Sequence, residues 1–371
     1  MPDPLAPGHS ALKPWMVLAG LAVLRLVAAR QPRVARGPNG AEGAGSHAGD
    51  DARRVAGREG GRGRQAAAPT EIPAKGWKDI AVRVFKEFNK DRVLSVAAGV
   101  TFYALLALFP AIAALVALYG LVADASSINE HLASMQGMIP AGALDVIGEQ
   151  VKRITAKGGG TLGLTFFTSL AISLWSANAG MKAVFEALNI VYEEEEKRNF
   201  FVLNLQSLAF TAGALLFVVL ALTSIVVLPV VFKFVGLGDG AWLIALLRWP
   251  ALFAVLLAGL SVLYRFGPSR DRARWRWVTW GSGLAGGLWL VGSILFSWYV
   301  ANFGNYNETY GSLGAVIGFM TWMWISTTIV LLGGELNAEM EHQTAQDTTV
   351  GRPESLGRRR ATMADRVGAA A

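Results

Sequence analysis

The sequence predicts an all-α membrane protein: a bundle of six transmembrane helices, with an amphipathic cytoplasmic helix before span 1 and an external helical hairpin between spans 1 and 2. Three observations carry that expectation. Of 371 residues, 53% are hydrophobic and only 16% charged, whereas soluble domains sit nearer a quarter charged. The apolar residues also come in long blocks. The cleanest, Leu313 to Gly334, holds 22 residues and no charge; as a helix it spans about 33 Å, one hydrocarbon core. Finally, Lys and Arg are shared unequally between alternate connections, the signature of a multi-pass chain.

Residues 1–76 read as an accessory region. Trp15 to Ala29 is apolar, but its fifteen residues, interrupted by Arg25, fall short of the roughly 20 a span needs. A signal-peptide core and an extra span are alternatives to a weak anchor or surface helix. Export would place the following Arg-rich stretch outside, against the positive-inside rule, so the anchor or surface helix is preferred. Residues 31–76 are rich in Gly, Ala and Arg without periodicity and are expected to be a disordered linker.

The membrane domain is placed at 77–341. Trp77, Ile80, Ala81, Val84, Phe85 and Phe88 recur at helical spacing, with Lys78, Asp79, Arg83, Lys86, Glu87 and Lys90 on the other face. This amphipathic helix either lies in the headgroup layer or packs on the end of the bundle. Six spans follow: Ala97–Val122, Thr161–Met181, Leu205–Phe232, Trp242–Leu263, Val278–Ala301 and Leu313–Gly334. Pro110 and Pro229 interrupt two of them, as membrane helices tolerate. Between spans 1 and 2, Leu144, Ile147, Val151 and Ile154 keep helical spacing after Pro140 until Gly158 to Gly160 stop the helix.

Orientation follows from the connections. Lys182, Lys197 and Arg198 lie between spans 2 and 3, and Arg265, Arg270, Arg272, Arg274 and Arg276 between spans 4 and 5. On the other side, the 1–2 connection has Lys152, Arg153 and Lys157, the 3–4 connection only Lys233 and the 5–6 connection none. Both ends of the core are therefore expected in the cytoplasm. The polar residues 342–371 are expected to be a disordered cytoplasmic tail.

Composition also excludes chemistry. Without Cys there is no disulfide framework or thiolate metal site, and four scattered His do not make a metal centre. No P-loop is present, so any transport is passive, ion-coupled or driven by a partner. No cofactor and no catalytic residue are expected. The net charge of +7 is concentrated in the two tails; it suits anionic lipid headgroups better than nucleic acid, since the basic tail lacks interleaved aromatics.

Several polar residues are candidates for lining a substrate path, each with a plainer structural reading. Asn178, with Trp175 nearby, must find a partner inside the bundle. Tyr103 belongs to a polar and aromatic stripe in span 1. Arg248 either attracts a phosphate or snorkels to the outer interface. Asn189 continues span 2 towards the acidic run Glu193 to Glu196. Glu335 and Asn337 close span 6, where Glu335 either relays a proton or binds a cation, or pairs with Arg198 or a basic residue of the 4–5 connection. Gly283 and Gly287, and Gly314 and Gly318, form small-residue faces for helix packing.

Several segments, in this order, resemble the YihY/BrkB family of bacterial inner-membrane proteins, once mis-described as ribonuclease BN. They are Asp91 with AAGVTFYALLALFP (Ala97 to Pro110), MIP (Met138 to Pro140), GTLGL (Gly160 to Leu164), FEALNIVYEEEEKR (Phe185 to Arg198) and the stretch from Tyr310 to Glu339. The resemblance covers residues 77–341. It implies six membrane helices with both ends inside, in agreement with the charge count. It also implies a link to envelope integrity and serum resistance and, for one branch, to export of lipid A precursors. The expectation is thus an inner-membrane protein whose partners are membrane lipids, transporting a lipid or another amphipathic substrate. The alternative is a non-transporting scaffold of the envelope. Ribonuclease activity is not expected, and oligomeric state is open.

Overall fold

A backbone in hydrocarbon must satisfy its N–H and C=O groups internally, so long apolar blocks become long helices. The computed structural model describes residues 59–119, 162–224, 241–303 and 312–371. Among them it carries seven α-helices: α1 (Ala74–Lys90), α2 (Val93–Tyr119), α3 (Leu162–Val191), α4 (Phe200–Leu222), α5 (Ala241–Phe266), α6 (Trp275–Phe303) and α7 (Ser312–Gln343). No strand forms among the described residues beyond an isolated bridge between Ala273 and Thr349. The apolar segment 15–29, the helix expected between spans 1 and 2, and Pro229 lie outside the described residues.

Five helices, α2, α4, α5, α6 and α7, are long and apolar enough to cross a membrane. The second expected span falls on α3, a helix of 30 residues that is not among those five. Pro110 and Pro250 sit inside α2 and α5. The Asn199 side chain caps α4 by accepting from the Val202 N–H at 2.9 Å.

α2 packs along α3, α3 on α4, and α5 on α6, while α7 touches α1, α2, α3 and α6. Most of the buried apolar core gathers at one end of the bundle. There Val93 and Ala97 of α2 meet Leu188 and Val191 of α3, Tyr264 of α5, Ala285 of α6 and Leu331 and Ala338 of α7. The outer faces are apolar too: Ile172, Leu205, Ile294 and Trp298 are exposed. A surface that offers large aliphatic and aromatic side chains to its surroundings is suited to lipid, not water.

The small-residue faces pack differently from the expectation. A Cβ on Gly283, Gly287 or Gly318 would meet nothing, whereas one on Gly281 would run into the Gly333 carbonyl and the Asn337 side chain. The close approach of α6 and α7 lies at Gly281 and Gly333, because the crossing falls at the core-bearing end. Helix α1 forms as expected, and Ile80, Trp77 and Val84 of its apolar face pack into a core cluster; Asp79 and Arg83 of the charged face are buried beside them, and Phe85 is 72% exposed. Polarity alone predicts disorder for the chain after α7. The structure instead lays it against the bundle, with Leu356, Ala361, Met363 and Ala364 buried. The Arg359 guanidinium there donates to the carbonyls of Ala345, Gln346, Glu354 and Ala364.

Candidate functional site

At about 100° per residue, the last turns of α7 present two polar stripes. Glu335, Glu339 and Gln343 share one, and Asn337 and Glu341 share the other. All five are buried, at 1% exposure or less. A buried carboxylate is costly unless a cation and hydrogen bonds surround it, so the partners decide what each residue does.

Most of them are well provided for. Arg83 of α1 donates through Nε to Glu339 at 2.5 Å and through Nη2 to Gln343 at 2.8 Å. Arg270, from the connection between α5 and α6, donates to Glu341 at 2.6 Å, and so does the Thr348 hydroxyl. Asn337 accepts from the Gly281 N–H at 2.8 Å and donates to the Val278 carbonyl at 3.3 Å, tying α7 to α6.

Glu335 is the exception. Neither of its oxygens has a hydrogen-bond partner among the described residues. The charged groups that weigh most on it are all acids: Asp91, Glu339 and Glu87. The helical repeat of α1 explains this. Arg83 stands opposite Glu339, and four residues on, where α1 would offer Glu335 a cation, it carries Glu87 and then Asp91. Asp91 ends α1, its N–H donating to the Glu87 carbonyl at 2.8 Å. Arg92 follows at φ 51, a left-handed residue that turns the chain into α2. Burial lifts the Asp91 carboxyl to about 6, with Glu87 and Glu193 adding to the rise and Lys90 opposing it. Lys90 itself is held by Glu87 at 2.6 Å and Glu193 at 2.9 Å. Two facing carboxyls that cannot both ionise cheaply can share a proton or hold a cation.

Beside them lies Tyr192, fully buried, its hydroxyl without a hydrogen-bond partner among the described residues and its ring 4.7 Å from the Arg270 guanidinium. Burial pushes its phenol well above the ordinary value.

The other sequence candidates are spread through the bundle. Asn189 accepts from the Ser269 N–H at 2.7 Å and donates to Glu196 at 3.1 Å, fastening the end of α3 to the α5–α6 connection. Asn178 is buried and accepts from the Thr211 hydroxyl at 3.4 Å, leaving its amide nitrogen without a partner. Trp175 is exposed, with the Lys182 ammonium 5.2 Å from its ring. Tyr103 is exposed beside Phe102, and the Arg248 guanidinium lies 5.3 Å from the Trp249 ring. Arg198 pairs with Glu196 and Arg270 with Glu341, so neither reaches Glu335. Asp91, Tyr192, Arg83 and Arg270 do not stand out as site residues in the sequence; the signals are Asp91 and Tyr192 within family-like segments and Arg270 in the basic connection.

A family model described as "Virulence factor BrkB" matches residues 84–356. The chain is 32% identical over 268 residues to the ribonuclease-like protein YfkH of Bacillus subtilis, covering 69% of this chain and 92% of that protein. It is 29% identical over 291 residues to a UPF0761 membrane protein of Neisseria meningitidis serogroup B, covering 75% of this chain and 66% of the relative. A UPF0761 membrane protein of Alkalilimnicola ehrlichii is 25% identical over 295 residues, covering 74% of this chain and 62% of the relative. The chain thus spans a little under two thirds of the length of these UPF0761 relatives. No solved structure matches it.

Proposed function

The chain belongs to the BrkB family of membrane proteins, and we propose that it is a transporter that moves a lipid or another amphipathic molecule across a bacterial inner membrane. In this reading α3 completes a six-span bundle. Both core ends are cytoplasmic, as the Lys and Arg count of the connections asks. The Asp91–Glu335 pair is the gate. One observation carries the proposal: Glu335 is buried with no partner for either carboxyl oxygen among the described residues, beside a second, half-buried acid, Asp91. Ionisable groups kept uncompensated at membrane depth mark ion and proton paths. Protonation of the pair lets α1, α2 and α7 close on one another, and loss of the proton drives them apart. An apolar recess of about 590 Å³, lined by Trp77, Trp280, Gly283, Leu284 and Leu336, supplies surface suited to an acyl chain.

The test is reconstitution into liposomes with a fluorescent phospholipid reporter. Wild-type protein is expected to accelerate lipid crossing, and Glu335→Gln to remove the acceleration while remaining folded. Crossing no faster than in empty vesicles, with folded protein, overturns the proposal. The scaffold reading is favoured by a different observation, the full pairing of Glu339, Glu341 and Asn337. It predicts no lipid crossing from either protein and poor folding when those pairs are cut.

A further inference from the structure

A second feature at the same end of the bundle is built for an anion. The start of α4 and the end of α5, with the connection that follows and the tail, enclose a cleft of about 640 Å³. Six cations line it: Lys197, Arg198, Arg265, Arg270, Arg272 and Arg360, against one acid, Asp271. Three of the six have carboxylate partners, Lys197 with Glu194, Arg198 with Glu196 and Arg270 with Glu341. The other three, Arg265, Arg272 and Arg360, form no ion pair among the described residues. Arg265 and Arg272 both lie beside the Phe266 ring, with their guanidinium carbons 5.4 and 5.1 Å from its centre, so two like charges are gathered at one wall of the cleft.

The donors are also left unused. The Arg270 side chain is 1% exposed, yet its Nε and Nη1 have no hydrogen-bond partner among the described residues. Among the same residues, Nε and Nη1 of Arg265 are likewise buried and unpartnered, its guanidinium lying 4.2 Å from the Trp275 ring. Buried guanidinium N–H groups are expensive to leave unsatisfied, and each of them is a charge-assisted donor for one phosphate oxygen. Arg360 reaches the rim in a left-handed conformation, φ 50, with its carbonyl accepting from the Asp271 N–H at 3.3 Å. The opposite wall is apolar, made by Val202 and Phe210 of α4 and by Phe266. Both helices are candidate spans ending at this level, so the cleft pairs a basic rim with an apolar wall.

We infer that this cleft binds a phosphate ester, held by Arg265, Arg270, Arg272 and Arg360. The phosphate chemistry is common to the headgroup of an anionic phospholipid and to a soluble phosphate compound. The inference rests on the membrane placement of α4 and α5 and not on transport: binding is measured at equilibrium, so it and the gate can fail separately.

The full chain, purified in detergent, is offered phosphatidylglycerol and phosphatidylcholine in equal amounts, and the lipid retained is read by native mass spectrometry. Wild-type protein is expected to keep phosphatidylglycerol selectively. Arg265→Gln with Arg272→Gln should lower that retention by about tenfold or more, the effect of removing charge-assisted hydrogen bonds. Arg366→Gln, an exposed cation paired with Glu193, should leave it unchanged. A parallel arm adds inorganic phosphate or glycerol 3-phosphate. Displacement of the lipid by these identifies a soluble phosphate compound as a sufficient ligand, and retention despite them identifies the lipid headgroup; either supports the site. Should the double variant not fold, the melting temperature of the wild type decides, since phosphatidylglycerol should raise it and phosphatidylcholine should not. Equal retention and equal melting with both lipids, together with no effect of phosphate, overturns the inference. So does undiminished selectivity in a folded double variant.

Discussion

Two successive turns of α7 meet α1 in opposite ways. Glu339 and Glu335 lie on one helical stripe, four residues apart, and are equally buried. The first receives the Arg83 guanidinium, and the second faces Asp91 and Glu87. Burial and residue type are the same, so the difference lies in what surrounds each carboxylate: Arg83 of the neighbouring helix and His342 of α7 itself for Glu339, and acids for Glu335. The comparison teaches that one end of a bundle can be locked and poised at once: the paired turn fixes the register of α1 on α7, and the unpaired turn keeps a charge that responds to its surroundings.

The sharpest way to break the comparison is to make the paired turn resemble the unpaired one. Arg83→Ala leaves Glu339 buried with only the His342 imidazole, 3.6 Å away, as a basic neighbour and should cost about 3–5 kcal/mol. Thermal or denaturant unfolding in detergent measures it, and adding Glu339→Gln should restore much of the loss. The converse substitution, Glu335→Gln, removes a buried ionisable group that has no hydrogen-bond partner among the described residues and should stabilise by roughly 1–3 kcal/mol in the same measurement. Destabilisation instead would show that Glu335 is a structural partner, and the two turns would then be alike. The smallest effect is in the pH dependence. Asp91 is raised in the folded state to about 6, above its unfolded value of roughly 4. The folded chain therefore holds a proton that the unfolded chain has released, and this contribution to stability is present at low pH and lost as pH rises through about 6. Melting temperatures between pH 5 and 7 should fall with rising pH, and Asp91→Asn should flatten that slope, by a modest amount because Asp91 is partly open to solvent.

Much of the fold was legible because its signals are local. A charge-free block in α7, the amphipathic spacing of α1 and the basic connections can each be read within one segment. The site was legible only in part. Glu335 and Asn337 were marked as polar closures of an apolar helix, but their roles depend on residues far away in sequence. Arg83 looked like one cation on a solvated helix face, whereas its partner lies 256 positions further along the chain. Helical periodicity says which side chains share a face; it does not say that this charged face will meet a stripe of acids. The same limit applies to the tail, whose polarity hides the backbone carbonyls that Arg359 gathers.

The core cluster sits at one end of the bundle, and this gives the molecule the mechanics of tongs. At that end, spreading the helices means breaking ion pairs, the Asn337 contacts and the Leu331–Tyr264–Ala285 packing. At the other, α5 begins with exposed Leu246, Leu247 and Trp249, α6 ends with exposed Leu295 and Trp298, and α7 begins with exposed Val316 and Ile317. Lipid already solvates those side chains, so parting them exchanges little protein contact. A separation of the helices that began at the sparsely packed end would turn about the point where Gly281 and Gly333 meet.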